Sequence, residues 1–84
     1  TYHYDDTTRI YSLYYTVKGM LDNDTIYALP GIEIHRKNVL QDIRTNLNYK
    51  KMREMDITFC YYYYSATRPG HEYMRIVYGP EDYR

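Results

Sequence analysis

Two alternating runs on either side of Arg68, Pro69 and Gly70 constrain this chain more than any other feature of its sequence. Residues 56–78 read DITFCYYYYSATRPGHEYMRIVY, rich in aromatic and β-branched types. Ile57, Phe59, Tyr61 and Tyr63 share one face of the first run, and Thr58, Cys60, Tyr62 and Tyr64 share the other. In the second run Met74, Ile76 and Tyr78 alternate with Tyr73, Arg75 and Val77. Pro69 presets φ for the first central position of a turn, and Gly70 accepts the positive φ that a type II turn needs at the second. The reading is a β-hairpin turning at 68–71.

With 84 residues the expectation is one domain, 1–84, with flexible ends at 1–8 and 79–84. The single cysteine, Cys60, cannot form an internal disulfide, and in a strand it reads as a small buried hydrophobe. No apolar run approaches twenty residues and no signal peptide is evident, so no membrane contact is expected and the predicted location is cytoplasmic.

Upstream of the hairpin, residues 9–18 form an alternating strand. Tyr11, Leu13, Tyr15 and Val17 lie on its apolar face, while Ser12, Tyr14, Thr16 and Lys18 point the other way. Gly19 with Asp22, Asn23 and Asp24 marks a turn, and residues 25–29 read as an edge strand ended by Pro30. An EF-hand reading of Asp22, Asn23 and Asp24 fails for want of the further oxygen ligands and the closing glutamate. Over 35–49 the period becomes helical, with Ile32, Val39, Leu40, Ile43 and Leu47 on one arc and Asn48 as C-cap. Lys50, Lys51 and Arg53 suit the negative end of that helix.

The predicted fold is therefore α+β in the order β-β-α-β-β. An antiparallel sheet of three to four strands carries one amphipathic helix on one face. The opposite face is left bare, with Tyr14, Tyr62, Tyr64, Tyr73 and Arg75 displayed on it.

Function is then weighed on that bare face. Fourteen tyrosines with one phenylalanine and no tryptophan exceed what a small core can bury with every hydroxyl satisfied, so several must meet solvent. Eleven Lys and Arg against eleven Asp and Glu give no net charge, which argues against a general grip on phosphate backbones. A small ribonuclease of the toxin type would draw on His71, Glu72, Arg68, Arg75, Tyr78, Tyr83 and Arg84. The neutral balance and the reading of His71 as a solvated turn residue oppose it. A metal would have to gather His3, His35, His71 and Cys60 from separate elements without ligand spacing, and no cofactor cradle is present. Single-stranded RNA or DNA stacking on Tyr62, Tyr64 and Tyr73 is the alternative, although the RNP pattern is missing.

The leading expectation is a non-enzymatic, protein-binding inhibitor or adaptor that uses Tyr14, Tyr62, Tyr64, Arg68, Tyr73 and Arg75. Its partner would be another protein, or a second copy in a homodimer. Residue types with AT-rich codons and a leading Thr1 suggest a complete small viral or mobile-element product acting on a host factor.

Overall fold

The computed structural model describes residues 1–27 and 31–84. Its strands are β1 (Tyr2–Asp5), β2 (Ile10–Val17), β3 (Thr58–Ser65) and β4 (Glu72–Tyr78), side by side in that order. The helices are α1 (Asp24–Tyr27), α2 (Ile32–Thr45), α3 (Lys50–Glu54) and α4 (Pro80–Tyr83), with 3-10 turns at Gly19–Leu21 and Leu47–Tyr49. The class is α+β as expected, but the sheet is mixed. β1 and β2 run antiparallel, as do β3 and β4, whereas β2 and β3 run parallel. A parallel pair needs a crossover longer than any hairpin loop. Residues 18–57 supply it, with α2 as its main helix.

The observed order differs from the expected β-β-α-β-β: short helices precede and follow α2, another follows β4, and the first two strands are drawn from different residues. Residues expected as a flexible lead-in form β1, where Tyr2 and Tyr4 pair with Leu13 and Tyr11. The turn into β2 is set by Asp5, whose carboxylate accepts from Thr7 N (2.9 Å) and Thr8 N (3.3 Å), and Arg9 takes φ +57° at its end. The edge strand expected over 25–29 is instead a helical turn through Tyr27, and residues 28–30 lie outside the described residues. Asn23 explains the change: its side chain accepts from Thr25 N at 2.9 Å and caps the turn.

Helix α2 begins three residues earlier than expected and ends four earlier. Arg53 donates to the carbonyls of Ile43 (2.6 Å) and Asn46 (2.8 Å), capping the end of the helix, and the C-cap is Asn46 rather than Asn48. Leu47, expected on the buried arc, is 82 % exposed because the helix has already stopped.

The hairpin turns where the sequence places it. His71 N donates to Arg68 O at 3.0 Å, and Gly70 has φ +78°.

The core lies between the sheet and the helices, formed by Ile43, Ile57, Phe59, Tyr61, Met74, Ile76 and Tyr83. Tyr83 corrects the expected flexible tail. Gly79 and Asp82 hydrogen-bond across Pro80 and start α4, whose last residue is buried. The Tyr83 ring meets Phe59 edge-on at 5.7 Å, and its hydroxyl donates to Ile57 O at 2.7 Å.

Candidate functional site

Strand register writes the sheet face that no helix among the described residues covers as three rows. Ser12, Cys60 and Val77 form the first, Tyr14, Tyr62 and Arg75 the second, and Thr16, Tyr64 and Glu72 the third. Ser12 and Cys60 are only 7 % and 6 % exposed, small residues sunk between larger neighbours. Burial raises the Cys60 thiol above its ordinary value, so it stays protonated and packs as an apolar group.

The middle row is one stack. Tyr14 and Tyr62 lie with centroids 4.9 Å apart and planes within 10°. From the opposite strand the Arg75 guanidinium sits 4.8 Å from the Tyr62 centroid. Because β2 and β4 flank β3, Tyr62 is covered on both ring faces. Tyr64 lies 6.4 Å from both Tyr14 and Tyr62, nearly parallel to each. Arg75 is held in turn by Glu72, at 3.1 Å, whose carboxylate raises it further above its ordinary value. Glu72 is a member of the site that sequence reasoning missed: three residues before Arg75 in a strand, strict alternation puts it on the other face, and only the register shift around Tyr73 brings the two together.

Arg68 and Tyr73 are elsewhere. The alternation expected Tyr73 beside Tyr62 and Tyr64, but the pairing slips after Tyr63 and Met74, so that Tyr64 meets Glu72 and Tyr73 is left unopposed. Such a bulge re-aims a side chain. Tyr73 turns to pack with the core cluster and stacks on Tyr27 at 4.6 Å and 11°.

There it joins a polar clamp between the hairpin tip and the segment after β2. Asp22 accepts from Ser65 Oγ (2.6 Å), Thr67 Oγ1 (2.6 Å) and the Tyr73 hydroxyl. Ser65 first, then Thr67 and Tyr73, hold its carboxyl well below the usual carboxylate range. Asp24 is lowered by its hydrogen bonds from His71 (2.8 Å) and Arg68 (3.1 Å). Arg68 also donates to the Tyr73 hydroxyl at 2.7 Å. His71, expected as a solvated turn residue, is thus half-buried and tied to Asp24. Asp22 and Asp24 were read only as turn formers, because their partners lie more than forty residues away.

Among the described residues no three His, Cys, Asp or Glu side chains gather as metal ligands, and no helix is long and apolar enough to cross a membrane. No curated protein and no solved structure matches the chain. A family described as "Domain of unknown function (DUF8479)" matches residues 1–74, and the chain belongs to that family.

Proposed function

We propose that the chain is a non-enzymatic protein-binding domain that docks through the uncovered face of its sheet. The observation that carries this reading is the coverage of Tyr62 on both ring faces by Tyr14 and Arg75. A base-stacking platform needs a ring face turned to the ligand. Here the central ring has spent both faces on its neighbours, so the row meets a partner with ring edges, hydroxyls and aliphatic stems. Rigid tyrosine and arginine anchors of this kind lose little side-chain entropy on binding and are typical of protein contacts. The ion pair of Arg75 with Glu72 keeps the row near neutral, which suits a protein surface better than a phosphate backbone.

The test is an affinity capture from source-cell lysate, repeated with nuclease and at moderate salt. A protein partner should persist in both arms, because a ring-anchored interface depends less on salt than counterion release does. The double change Tyr62→Ala with Tyr64→Ala should abolish capture while circular dichroism stays that of the folded domain. A partner lost with nuclease would replace this reading by nucleic-acid binding.

A further inference from the structure

The two outer strands of the sheet are built differently. β4 carries the bulge at Tyr73 and the charged pair Glu72 and Arg75, devices that discourage a further strand from adding. β1 carries no such bulge, and among the described residues nothing pairs with its outer edge. Thr1 and Tyr14 exchange both backbone hydrogen bonds, Tyr14 N to Thr1 O at 2.8 Å and Thr1 N to Tyr14 O at 3.3 Å. Antiparallel ladders alternate. His3 with Ser12 and Asp5 with Ile10 are then the next bonded pairs, and Tyr2 and Tyr4 turn their N–H and C=O groups outward.

A pocket of about 320 Å³ opens beside that edge on the helix side of the sheet. Tyr4, Met52, Met55 and Ile57 give it apolar walls, and Asn48 and Lys51 complete its lining. Its size is at the small end of ligand sites, about 300–1,000 Å³, suited to a side chain rather than a large cofactor. The apolar surface continues outside it: Tyr2 is 72 % exposed, Met55 is exposed, and Leu47 directly precedes Asn48. Methionine adapts to irregular apolar guests.

We propose that the outer edge of β1 takes an extended segment of a partner protein as a fifth strand, with an aliphatic side chain in the Tyr4, Met52, Met55 and Ile57 pocket and an acidic side chain on Lys51. Outward backbone groups on Tyr2 and Tyr4 call for another backbone, and the pocket walls call for an apolar side chain. Lys51 is the only charged group in the lining and calls for a carboxylate. With the added strand antiparallel to β1, a residue directly opposite Tyr4 points to the same side of the sheet as Tyr4, with Cα atoms about 5.5 Å apart. Its side chain therefore enters at the pocket. A residue two positions along shares that side, so the acidic and aliphatic residues are spaced by one. This surface is separate from the Tyr14, Tyr62 and Arg75 row, and the inference does not rest on the binding role proposed for that row. Main-chain pairing supplies affinity and the pocket supplies selectivity, as in other strand-addition complexes.

A fluorescent, end-capped peptide Thr-Asp-Thr-Leu-Thr-Asp-Thr, titrated into the full chain and followed by polarisation, tests this directly. Saturable binding is expected, with a loss of at least about tenfold when the leucine amide is N-methylated and its hydrogen bond removed. Lys51→Glu should weaken the acidic peptide and bind the version with lysine in place of aspartate more tightly than the wild type does. Tyr62→Ala should leave all of these values unchanged. No saturable binding, an N-methylated peptide that binds as well as its parent, or a lysine peptide that gains nothing on Lys51→Glu would each overturn the proposal. Sedimentation showing a dimer that the peptide fails to dissociate would assign the edge to a second copy and also overturn it.

Discussion

Tyrosine lines both faces of this sheet but does different work on each. On the helix side the rings meet edge to face or tilted around Phe59 and stack in parallel where Tyr15 meets Tyr61 and Tyr63, and hydroxyls are tied to fixed acceptors. Tyr83 donates to Ile57 O and Tyr78 to Arg36 O at 2.8 Å, while Tyr63 lies 2.9 Å from His35 Nε2. Burial pushes the Tyr63 hydroxyl up to about 12, as a phenol with little access to water requires. On the uncovered side Tyr14, Tyr62 and Tyr64 stack nearly parallel across adjacent strands and remain partly in solvent. One residue type thus builds a core where a helix covers it and a rigid surface where none does. The cover decides the role.

The largest expected effect breaks the comparison from the core side. Phe59 is fully buried and touches Tyr11, Tyr49 and Tyr83. Phe59→Ala should cost about 3–5 kcal/mol, a large share of the roughly 5–15 kcal/mol that holds a domain together. Urea unfolding should show the midpoint fall sharply or the transition vanish. Retention of a near wild-type midpoint would mean that the helix-side rings are not the core.

The next effect concerns Tyr73, the ring that the bulge diverts from the uncovered face and that Asp22 holds. The Asp22 carboxyl sits below its ordinary value of 3.8 in the folded chain. A depressed carboxylate stabilises the fold fully above the unfolded value and loses that contribution as pH falls through the folded one. Asp22→Asn should therefore be less stable than wild type at neutral pH, with the gap closing as pH falls below 3.8. Thermal melts of both proteins across that range measure the gap. A gap independent of pH would show that the carboxylate's charge is not what holds the clamp.

Much of this comparison is visible in the sequence, and the part that is not has physical reasons. Alternation placed Phe59, Tyr61 and Ile76 opposite Tyr62, Arg75 and Val77, because side-chain direction in a strand is a local property. Helical period likewise picked out Val39, Leu40 and Ile43 as the packed arc of α2. The hairpin was legible from the two alternating runs together with Pro69 and Gly70. β1 was missed although Tyr2 and Tyr4 alternate with His3 and Asp5, since a tyrosine among polar residues reads equally as surface. The parallel pairing of β2 with β3 leaves no periodic trace, because it depends on where the crossover returns the chain. Tyr73 was misplaced by one residue of slip, which strict alternation cannot anticipate. Asp22 and Tyr83 owe their roles to groups far along the chain, Ser65 and Ile57. Of the site itself, Tyr14, Tyr62, Tyr64 and Arg75 are brought together, whereas Arg68 and Tyr73 belong to the clamp.

The smallest expected effect tests whether the uncovered row is a surface or a second core. Arg75 covers Tyr62, pairs with Glu72, and is itself exposed. An exposed cation–π contact contributes about 0.5–1 kcal/mol, and an exposed ion pair between about 0 and 1 kcal/mol. Arg75→Ala should then cost about 0.5–2 kcal/mol in all and lower the melting temperature by roughly 2–16 °C, at about 4–8 °C per kcal/mol for a domain of this size. Arg75→Lys keeps the charge but loses the flat guanidinium that lies against the ring, so it should fall between alanine and wild type. Both variants should still unfold in one cooperative step, because no buried group is left unsatisfied. A loss comparable to that of Phe59→Ala would mean that the stack of Tyr14, Tyr62 and Arg75 holds the sheet together. The contrast between a covered core and a bare, preorganised face would then have to be abandoned.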